Sequence, residues 1–436
     1  MRLQGWGRFP DIAAEFIEPV SVELIQKSLK EKNKVLPLIP RGAGRSYGDS
    51  ALASRVISTR FLDQFIAFDH KTQTIQCGSG TTLETVLKFI TPKGYFIPVL
   101  PGTKYVSIGG AIAADIHGKN HHKSGSFCSY VSELSLMLAN GEIIKCSETK
   151  NPDLFQATCG GMGLTGIIVD AVLLLKRVTS VSIRKRSLIA RDLTECMDII
   201  DETEDSEYSV AWLDCLASKA RLGRSIIHLG EHCENGRAEH ESRRRMSIPF
   251  STPSILLNKC SISLFNSALY NLRKYGSEIS TVGYDSYFFP LDFIKNWNRL
   301  YGPQGFLQYQ FAIPITNSKQ SISEVLKKIH ASGKGPLLSV LKKFGEGNNN
   351  YLSFPFRGYS LALDFKKEVG LFPLLAELDE IILANGGRLY LAKDARMTED
   401  VFKRSYLDWE KFLNVKSKVD PNHLFASLQS NRIGLT

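Results

Sequence analysis

The first 176 residues alternate short apolar runs with glycine-rich turns, which is typical of short strands joined by tight connections. An amphipathic helix is predicted from Thr81 to the residue before Pro92, because apolar residues recur there at helical spacing. Asn151 is predicted to cap a short helix that reaches Phe155. The apolar runs predict strands at 35–39, 56–58, 65–68, 74–77 and 167–175.

Beyond about residue 177 strands and helices continue, but the glycine-rich loops largely stop, so a domain boundary is predicted there. The segment 234–262 is interpreted as a mobile surface loop that holds Arg243-Arg244-Arg245 and the apolar Ile255-Leu256-Leu257. Helices are predicted near 322–331, 371–384 and 401–413. The expected parts are residues 1–177, 178–387 and 388–436.

Composition narrows the class of protein. The 436 residues are 43% hydrophobic and 22% charged, which is ordinary for a soluble globular protein. Apolar runs of about 18 residues, which a membrane-spanning helix needs, are absent, and the first residues lack the apolar core of a secretory signal. The eight cysteines are scattered without a CxxC pair, so we expect reduced, mostly buried thiols in a cytoplasmic protein.

The net charge of +10 fits an anionic membrane face, a phosphorylated substrate, nucleic acid, or simply a surface with surplus lysine. Nucleic acid is the weakest of these interpretations, because the basic residues are spread and no nucleic-acid-binding module is visible.

Three glycine-rich segments are candidates for chemistry. The segment from Arg41 to Gly48 could direct backbone N–H groups at an anion or form only a tight turn, and it lacks the dinucleotide pattern GxGxxG. The run from Pro101 to His122 is rich in small residues, which lets a flat ligand lie against the backbone. The third segment is Cys159–Gly163.

Four titratable side chains, His117, Lys119, His121 and His122, end the second segment. A zinc site, buried or solvated histidines, and a polar rim around a cofactor are alternative interpretations. No cysteine or carboxylate stands at ligand spacing, so no metal is predicted. Near the C-terminus, strand alternation would place Tyr390, Ala392 and Asp394 on one face and Lys393 on the other, where Lys393 either enters a site or is solvated.

Together these segments resemble the flavoproteins of the vanillyl-alcohol-oxidase type and, within them, the family of polyprenyl-phosphoryl-ribose 2-oxidases. The resemblance covers essentially the whole chain. It is carried by RGAGRSYGDS, VLPGTKYVSIGGAIAADIHGKNHHKSGSF, GGMGLTGII, YSVAWLD, GFLQYQFAIP, LSFPF, GGRLYLAKDAR and KVDPNHLFAS. It implies an α+β fold: a PCMH-type FAD-binding domain of two subdomains, a substrate domain built on an antiparallel sheet with flanking helices, and a C-terminal segment that returns to the FAD domain.

The resemblance also implies the site. Lys393, His117 and Tyr390 would be catalytic. The residues implied to hold non-covalent FAD are Arg41, Gly42, Ala43, Gly44, Arg45, Ser46, Tyr47, Gly102, Thr103, Gly109, Gly110, Ala113, His117, Gly118, Asn120, Gly163 and Ile168. The residues implied to contact the substrate are Lys119, Gln308, Gln310, Lys342, Ser360 and Ala362.

The implied reaction oxidises the 2-hydroxyl of a polyprenyl-phosphoryl-β-D-ribose, as the first half of an epimerisation that serves cell-envelope glycan synthesis. Lys393 would act as the base, or would stay charged and stabilise an alkoxide while His117 accepts the proton. The resemblance further implies an NAD(P)H-dependent short-chain reductase as partner, and peripheral contact with the inner face of the plasma membrane, for which Arg243–Arg245 and Ile255–Leu257 are candidates.

Three positions depart from relatives. Arg45 stands where flavoproteins that bind their flavin covalently through this loop have histidine, so we expect dissociable FAD. Ala362 replaces a cysteine that nitroaromatic inhibitors trap, and Ser360 replaces an asparagine. The alternatives are an aldonolactone or sugar-alcohol oxidase that uses oxygen, and a non-catalytic anion-binding scaffold.

Overall fold

The computed structural model of the protein describes residues 1–30, 36–217, 219–236, 246–253, 256–274, 276 and 278–436. Two sheets form its N-terminal part. A parallel three-stranded sheet has the order Glu15–Ile17, Arg55–Ser58, Leu38–Arg41. An antiparallel five-stranded sheet has the order Ile143–Cys146, Val131–Met137, Ile167–Leu174, Thr74–Gly78, Phe65–Asp69.

Short helices cover these sheets. Leu83–Ile90 buries an apolar stripe, and its N-terminus is capped by the Thr82 hydroxyl, which accepts a hydrogen bond from the Thr85 N–H. The helix predicted from Thr81 is therefore confirmed, with the cap one residue later. The remaining helices of this part are Val22–Lys30, Ile108–Ala113, His121–Ser124 and Pro152–Thr158.

An antiparallel eight-stranded sheet dominates the second part. Its strands follow the order Ile279–Gly283, Ser182–Ala190, Ser225–His232, Tyr208–Leu213, Leu338–Phe344, Gly358–Lys366, Phe306–Pro314, Arg388–Leu389. Its helices are Leu193–Glu202, Lys259–Lys274, Tyr284–Phe288, Ser318–Ser332 and Leu371–Ala384. Paired short strands are Arg2–Gln4 with Asp11–Ala13, Tyr95–Phe96 with Lys176–Arg177, and Met246–Ser247 with Ile294–Lys295.

The two faces of the eight-stranded sheet differ. One face buries Phe311, Leu361 and Leu341 in the same core as the apolar stripes of Ser318–Ser332 and Leu371–Ala384. The other face carries mixed polar and apolar side chains, because successive residues of a strand point to opposite sides. Cross-strand pairing aligns them in rows, one of which is Gln310, Ala362, Val340, Trp212 and Ile226.

The C-terminal segment joins both parts. Arg388–Leu389 extends the eight-stranded sheet, and the helices Glu399–Ser405, Trp409–Val419 and Leu428–Arg432 follow. Leu38 of the parallel sheet donates its N–H to Leu424 O at 2.8 Å and accepts from Ala426 N at 3.1 Å. Mixed helices with parallel and antiparallel sheets confirm the α+β class. The domain limits at 177 and 387 stay predictions.

Several local predictions were wrong. The helix predicted over 401–413 is two helices, and the strand predicted through Lys393 ends at Leu389, after which Leu391–Lys393 forms a 3₁₀ turn. Part of the predicted loop 234–262 is helical from Lys259, whereas Arg243–Arg245 and Ile255 lie outside the described residues. All eight cysteines are free and six are buried, which agrees with the prediction of mostly buried thiols, whereas the cytoplasmic location stays a prediction. Within the described ranges no helix is long and apolar enough to cross a membrane.

Candidate active site

A cavity of about 890 Å³ lies between the N-terminal sheets and the mixed face of the eight-stranded sheet. All three glycine-rich segments contribute to its wall, although they are far apart in the sequence. Of the predicted site residues, all except Gly118 and Asn120 line it. The fold therefore brings together the loops predicted to hold a cofactor and the side chains predicted to hold a substrate.

The loop from Arg41 to Tyr47 presents its backbone to the cavity. The N–H groups of Gly42, Gly44, Arg45 and Ser46 donate to none of the described residues, which is the condition for binding an anion through the backbone. The Arg41 guanidinium is held by Gln4 O at 2.8 Å and Ala51 O at 3.3 Å. The Arg45 guanidinium lies 4.3 Å from the centre of the Trp6 ring.

The second segment packs closely against this loop. Ser107 caps the helix Ile108–Ala113, and its Oγ also accepts from Ala43 N at 3.3 Å. A Cβ on Gly42 would lie 2.0 Å from Ser107 Oγ, so the approach of the two segments requires glycine. In the third segment, Gly163 has φ +80°, and a Cβ there would lie 3.0 Å from the Pro40 ring, so this contact also favours glycine.

Gly118 and Asn120 correct the prediction. Neither lines the cavity, and the buried Asn120 donates its Nδ2 to Pro98 O at 2.8 Å, which fixes the chain at this point. His121 Nδ1 accepts from Gly345 N at 3.2 Å, and His122 Nε2 contacts Ser206 O at 2.9 Å. The two rings therefore bond to different parts of the chain, at Gly345 and at Ser206. The described residues contain no group of three His, Cys, Asp or Glu suited to a metal.

Gln310 organises the polar part of the sheet face. Its Nε2 donates to His117 Nε2 at 2.9 Å and to Ser360 Oγ at 3.1 Å. Because an amide nitrogen only donates, His117 carries its proton on Nδ1, which has no partner among the described residues. Burial, with Lys342, His121 and Lys393 nearby, holds the pKa of His117 well below its usual range.

Lys393 enters the same part of the cavity from the turn Leu391–Lys393. Its Nζ lies 3.9 Å from the centre of the Tyr47 ring, and no carboxylate in the described residues forms an ion pair with it. Burial lowers the pKa of Lys393, and the nearby carboxylate of Asp364 partly opposes this shift. Asp364 itself accepts a hydrogen bond from Gln308 Nε2 at 2.5 Å. Burial also raises the pKa of Asp364 and lowers that of Lys342 to about 8.

Tyr390 and Ala392 line the cavity together with Lys393, so the predicted alternation about Lys393 was wrong. A 3₁₀ turn directs successive side chains around an axis rather than to two opposite faces. The Tyr390 hydroxyl donates its proton to Ala114 O at 2.8 Å, so in this arrangement it does not donate to a substrate. Its ring lies 5.2 Å from that of His117, which makes it a wall of the site.

Sequence reasoning missed several wall residues, namely Lys185, Val210, Trp212, Ile226, His228, Tyr287 and Val340. The alternation of Tyr208, Val210 and Trp212 within YSVAWLD was the available signal for one strand of the wall. It gave no indication that this strand faces a cavity.

Known proteins resemble the chain over its full length. A decaprenylphosphoryl-β-D-ribose oxidase of Mycolicibacterium smegmatis is 34% identical over all of this chain and 97% of the relative. The chain belongs to this oxidase family. A family model described as an FAD-binding domain matches residues 13–147. An uncharacterised Streptomyces coelicolor protein is 30% identical over 81% of the chain and the whole of the relative, and a mouse L-gulonolactone oxidase is 23% identical over 98% of the chain and 97% of the relative.

Membership of the decaprenylphosphoryl-β-D-ribose oxidase family makes FAD the cofactor of this flavoprotein oxidoreductase. The cavity fits this cofactor. Four N–H groups of the loop from Arg41 to Tyr47 have no partner among the described residues and are available to a pyrophosphate, and the glycine-rich wall accommodates a flat ring. Arg45, which is not a flavin-linking residue, stands in that loop. Ala362 lies on the sheet face between Gln310 and Val340, so this family member has no thiol at that position.

Proposed function

We propose that this protein oxidises the 2-hydroxyl of a polyprenyl-phosphoryl-β-D-ribose to the 2-keto sugar, with FAD as the oxidant. Family membership supports the reaction class. The observation that carries the site assignment is the shared cavity, in which the FAD-binding segments face Lys393, Gln310 and Lys342 across one space. Bound FAD supplies the acceptor for the hydride that leaves the sugar.

Lys393 is assigned as the acceptor of the hydroxyl proton. Its Nζ lies 3.9 Å from the centre of the Tyr47 ring, which also lines the cavity, and it makes no ion pair in the described part of the chain. Burial depresses its pKa, which keeps a fraction of the amine neutral near pH 7. Lys342, also buried in the cavity, is placed to hold a neighbouring oxygen of the substrate.

His117 is assigned a positioning role. Its Nε2 already accepts from Gln310 Nε2, and its pKa lies well below 6.5, so it is neutral and has no lone pair left for a substrate proton. This contact fixes the amide of Gln310, whose Oε1 is then oriented to accept from a sugar hydroxyl. Ser360 supports the same amide from the neighbouring strand.

Anaerobic mixing with farnesyl-phosphoryl-β-D-ribose tests the reaction. The expected result is loss of the visible flavin absorption within one turnover, because hydride transfer reduces FAD without oxygen. An L-gulonolactone-type oxidase would instead be reduced by free lactones or polyols and would release hydrogen peroxide in air. Reduction by those compounds, with no reduction by the lipid-linked sugar, would reject the proposal.

An NAD(P)H-dependent short-chain reductase is proposed as partner, because the keto product keeps its lipid phosphate and inversion at carbon 2 requires a second hydride. The spacing GxGxxG occurs once, at 161–166, but there it follows the helix Pro152–Thr158 and leads into the strand Ile167–Leu174, whereas a nicotinamide-dinucleotide motif follows a strand and opens a helix. The partner would therefore bring its own cofactor.

Peripheral contact with the inner face of the plasma membrane is also proposed. The helix Lys259–Lys274 exposes Leu264, Phe265 and Leu272 on one face, with side chains 73%, 51% and 75% exposed. Leu269 of the same helix lines the cavity, so this face adjoins the route by which a lipid tail leaves the site. The last turn carries Arg273 and Lys274, which favour an anionic surface.

Leu264→Asp with Leu272→Asp is expected to lower the protein bound to anionic vesicles by at least about tenfold, because each leucine contributes roughly 1.5 kcal/mol or more when buried. Sedimentation with phosphatidylglycerol-containing vesicles measures this fraction. Leu407→Asp, at a leucine that is 80% exposed elsewhere, is the matched control and should sediment like the wild type. Equal loss in both variants would exclude the helix as the docking face.

A further inference from the structure

The cavity continues from Lys342 toward a second group of basic side chains that the oxidation does not use. Lys119, Lys185 and His228 all line it. On the eight-stranded sheet His228 stands opposite both Val210 and Ser187, and Lys185 lies two residues before Ser187 on the same face. The group is therefore laid out along the sheet by its register, on strands beyond the one that carries Lys342.

Tyr287 contacts Lys119 and the backbone of His228. Lys119 Nζ donates to Tyr287 O and lies 4.3 Å from the centre of the Tyr287 ring. The Tyr287 hydroxyl is 3.4 Å from His228 O. A Cβ at position 230 would lie 2.5 Å from this ring, so Gly230 leaves the space that Tyr287 occupies.

His228 is oriented from its other side. Its Nδ1 bonds Ser187 Oγ at 2.9 Å, which leaves Nε2 without a partner in the described part of the chain. Burial, with Lys185 and Lys119 close by, lowers the pKa of His228 to about 3. The ring is therefore neutral, and in the tautomer whose Nδ1 accepts from the Ser187 hydroxyl its Nε2 is a hydrogen-bond donor.

In the described part of the chain no carboxylate pairs with this group. Among the described residues, Lys119, Lys185 and Lys342 form no ion pair. Burial and the neighbouring lysines lower the pKa of Lys119 to about 7. Buried like charges without a counter-ion are unfavourable, and an anion placed among them would remove that cost.

We propose that Lys119, Lys185 and His228 form the subsite for the phosphodiester of the substrate, beyond the sugar at Gln310 and Lys393 and beside the apolar wall residues Ile226 and Leu269. This rests on the proposed function. The strand of His228 lies three neighbours from that of Ala362, or about 14 Å at the usual strand spacing, which leaves room for a sugar ring between the two groups. Along the sheet, His228 and Lys185 thus lie beyond the position of the sugar, as the phosphate does in the substrate.

Lys185→Met tests the subsite at a side chain whose replacement leaves the core intact. Two substrates are compared by anaerobic flavin reduction: farnesyl-phosphoryl-β-D-ribose and the uncharged farnesyl β-D-riboside. For the phosphorylated substrate the half-saturating concentration should rise by about tenfold or more, as expected for loss of a charge-assisted contact. The limiting rate should change by less than about twofold, and the riboside should be unaffected. His228→Leu, which removes the Nε2 donor, should act in the same direction.

Arg186→Met is the matched control, because Arg186 is the next residue of the same strand and pairs with Glu278 away from the cavity. Equal half-saturating concentrations for wild type and Lys185→Met, or equal losses with both substrates, would overturn the subsite. Calorimetric binding of farnesyl phosphate to the FAD-loaded protein separates the two proposals. Were wild-type flavin not reduced by either sugar, the proposed function would fail, while weaker farnesyl phosphate binding by Lys185→Met would still support the anion site, and unchanged binding would reject it.

Discussion

Lys393→Met is expected to reduce the rate of flavin reduction by about 100- to 10,000-fold while FAD remains bound, which is the usual contribution of a positioned base. Methionine keeps much of the length of lysine and its packing against the Tyr47 ring, but it cannot accept a proton. The change also removes a buried cation, so the protein should be at least as stable as the wild type.

The pH dependence distinguishes a base from a charged stabiliser. A base acts in its neutral form, so the wild-type rate should be low in acid and rise with pH through the depressed pKa of Lys393. A lysine that works as a cation would give the opposite slope, with the rate falling as pH rises. Lys393→Met should lose the rising limb altogether.

Stopped-flow absorbance under anaerobic conditions measures both quantities. Lys403→Met, at a half-buried lysine that pairs with Glu399 within the helix Glu399–Ser405, serves as the control and should keep the wild-type profile. A Lys393→Met protein that reduces its flavin within about threefold of the wild-type rate would exclude Lys393 as the base.

Gly48→Ala is expected to yield a protein that is largely free of flavin and less stable by about 2 to 3 kcal/mol, as for overpacked sites. A Cβ at position 48 would lie 1.8 Å from Asp394 O and 2.6 Å from its carbonyl carbon, so backbone must move. The contact joins the loop that presents N–H groups to the cavity with the turn that carries Lys393. Tyr47 N also donates to Ala392 O at 3.1 Å across this junction.

The flavin-to-protein absorbance ratio and denaturant unfolding measure the two effects. Gly283→Ala is the matched control, because a Cβ there meets nothing within 4 Å and the backbone is not left-handed. It should bind FAD fully and unfold like the wild type. Full flavin content in Gly48→Ala would mean that this junction does not position the FAD loop.

Local patterns predicted the elements whose apolar spacing is unambiguous. Both ends of the helix Leu371–Ala384 were predicted correctly, because a long apolar stripe fixes its extent and Gly386 and Gly387 end it. The turn at Leu391–Lys393 was mistaken for a strand, because its backbone follows the tertiary contact with Tyr47 and its three residues carry no periodicity.

Some residues of the site were predicted from the sequence, and others were found only in the structure. The resemblance of the motifs placed nearly all of its predicted residues on the cavity wall, including Gln308 and Gln310 on one strand and Lys342 on another. Asn120 does not line the cavity, since a polar residue inside a motif can serve the motif's own fold, here through Pro98 O. Lys185 and His228 carried no signal, because neither belongs to a glycine-rich segment.

By itself the sequence determined the three glycine-rich segments, the α+β class, the family and the residue types available for hydride and proton transfer. Only the tertiary structure decided that Lys393 contacts the Tyr47 ring and that Gln310 bonds His117. It also decided that Tyr287 contacts both Lys119 and the backbone of His228. The reason is physical: glycine content and periodicity act within a few residues, whereas the register of eight strands and the burial of each charge are set by the whole sheet.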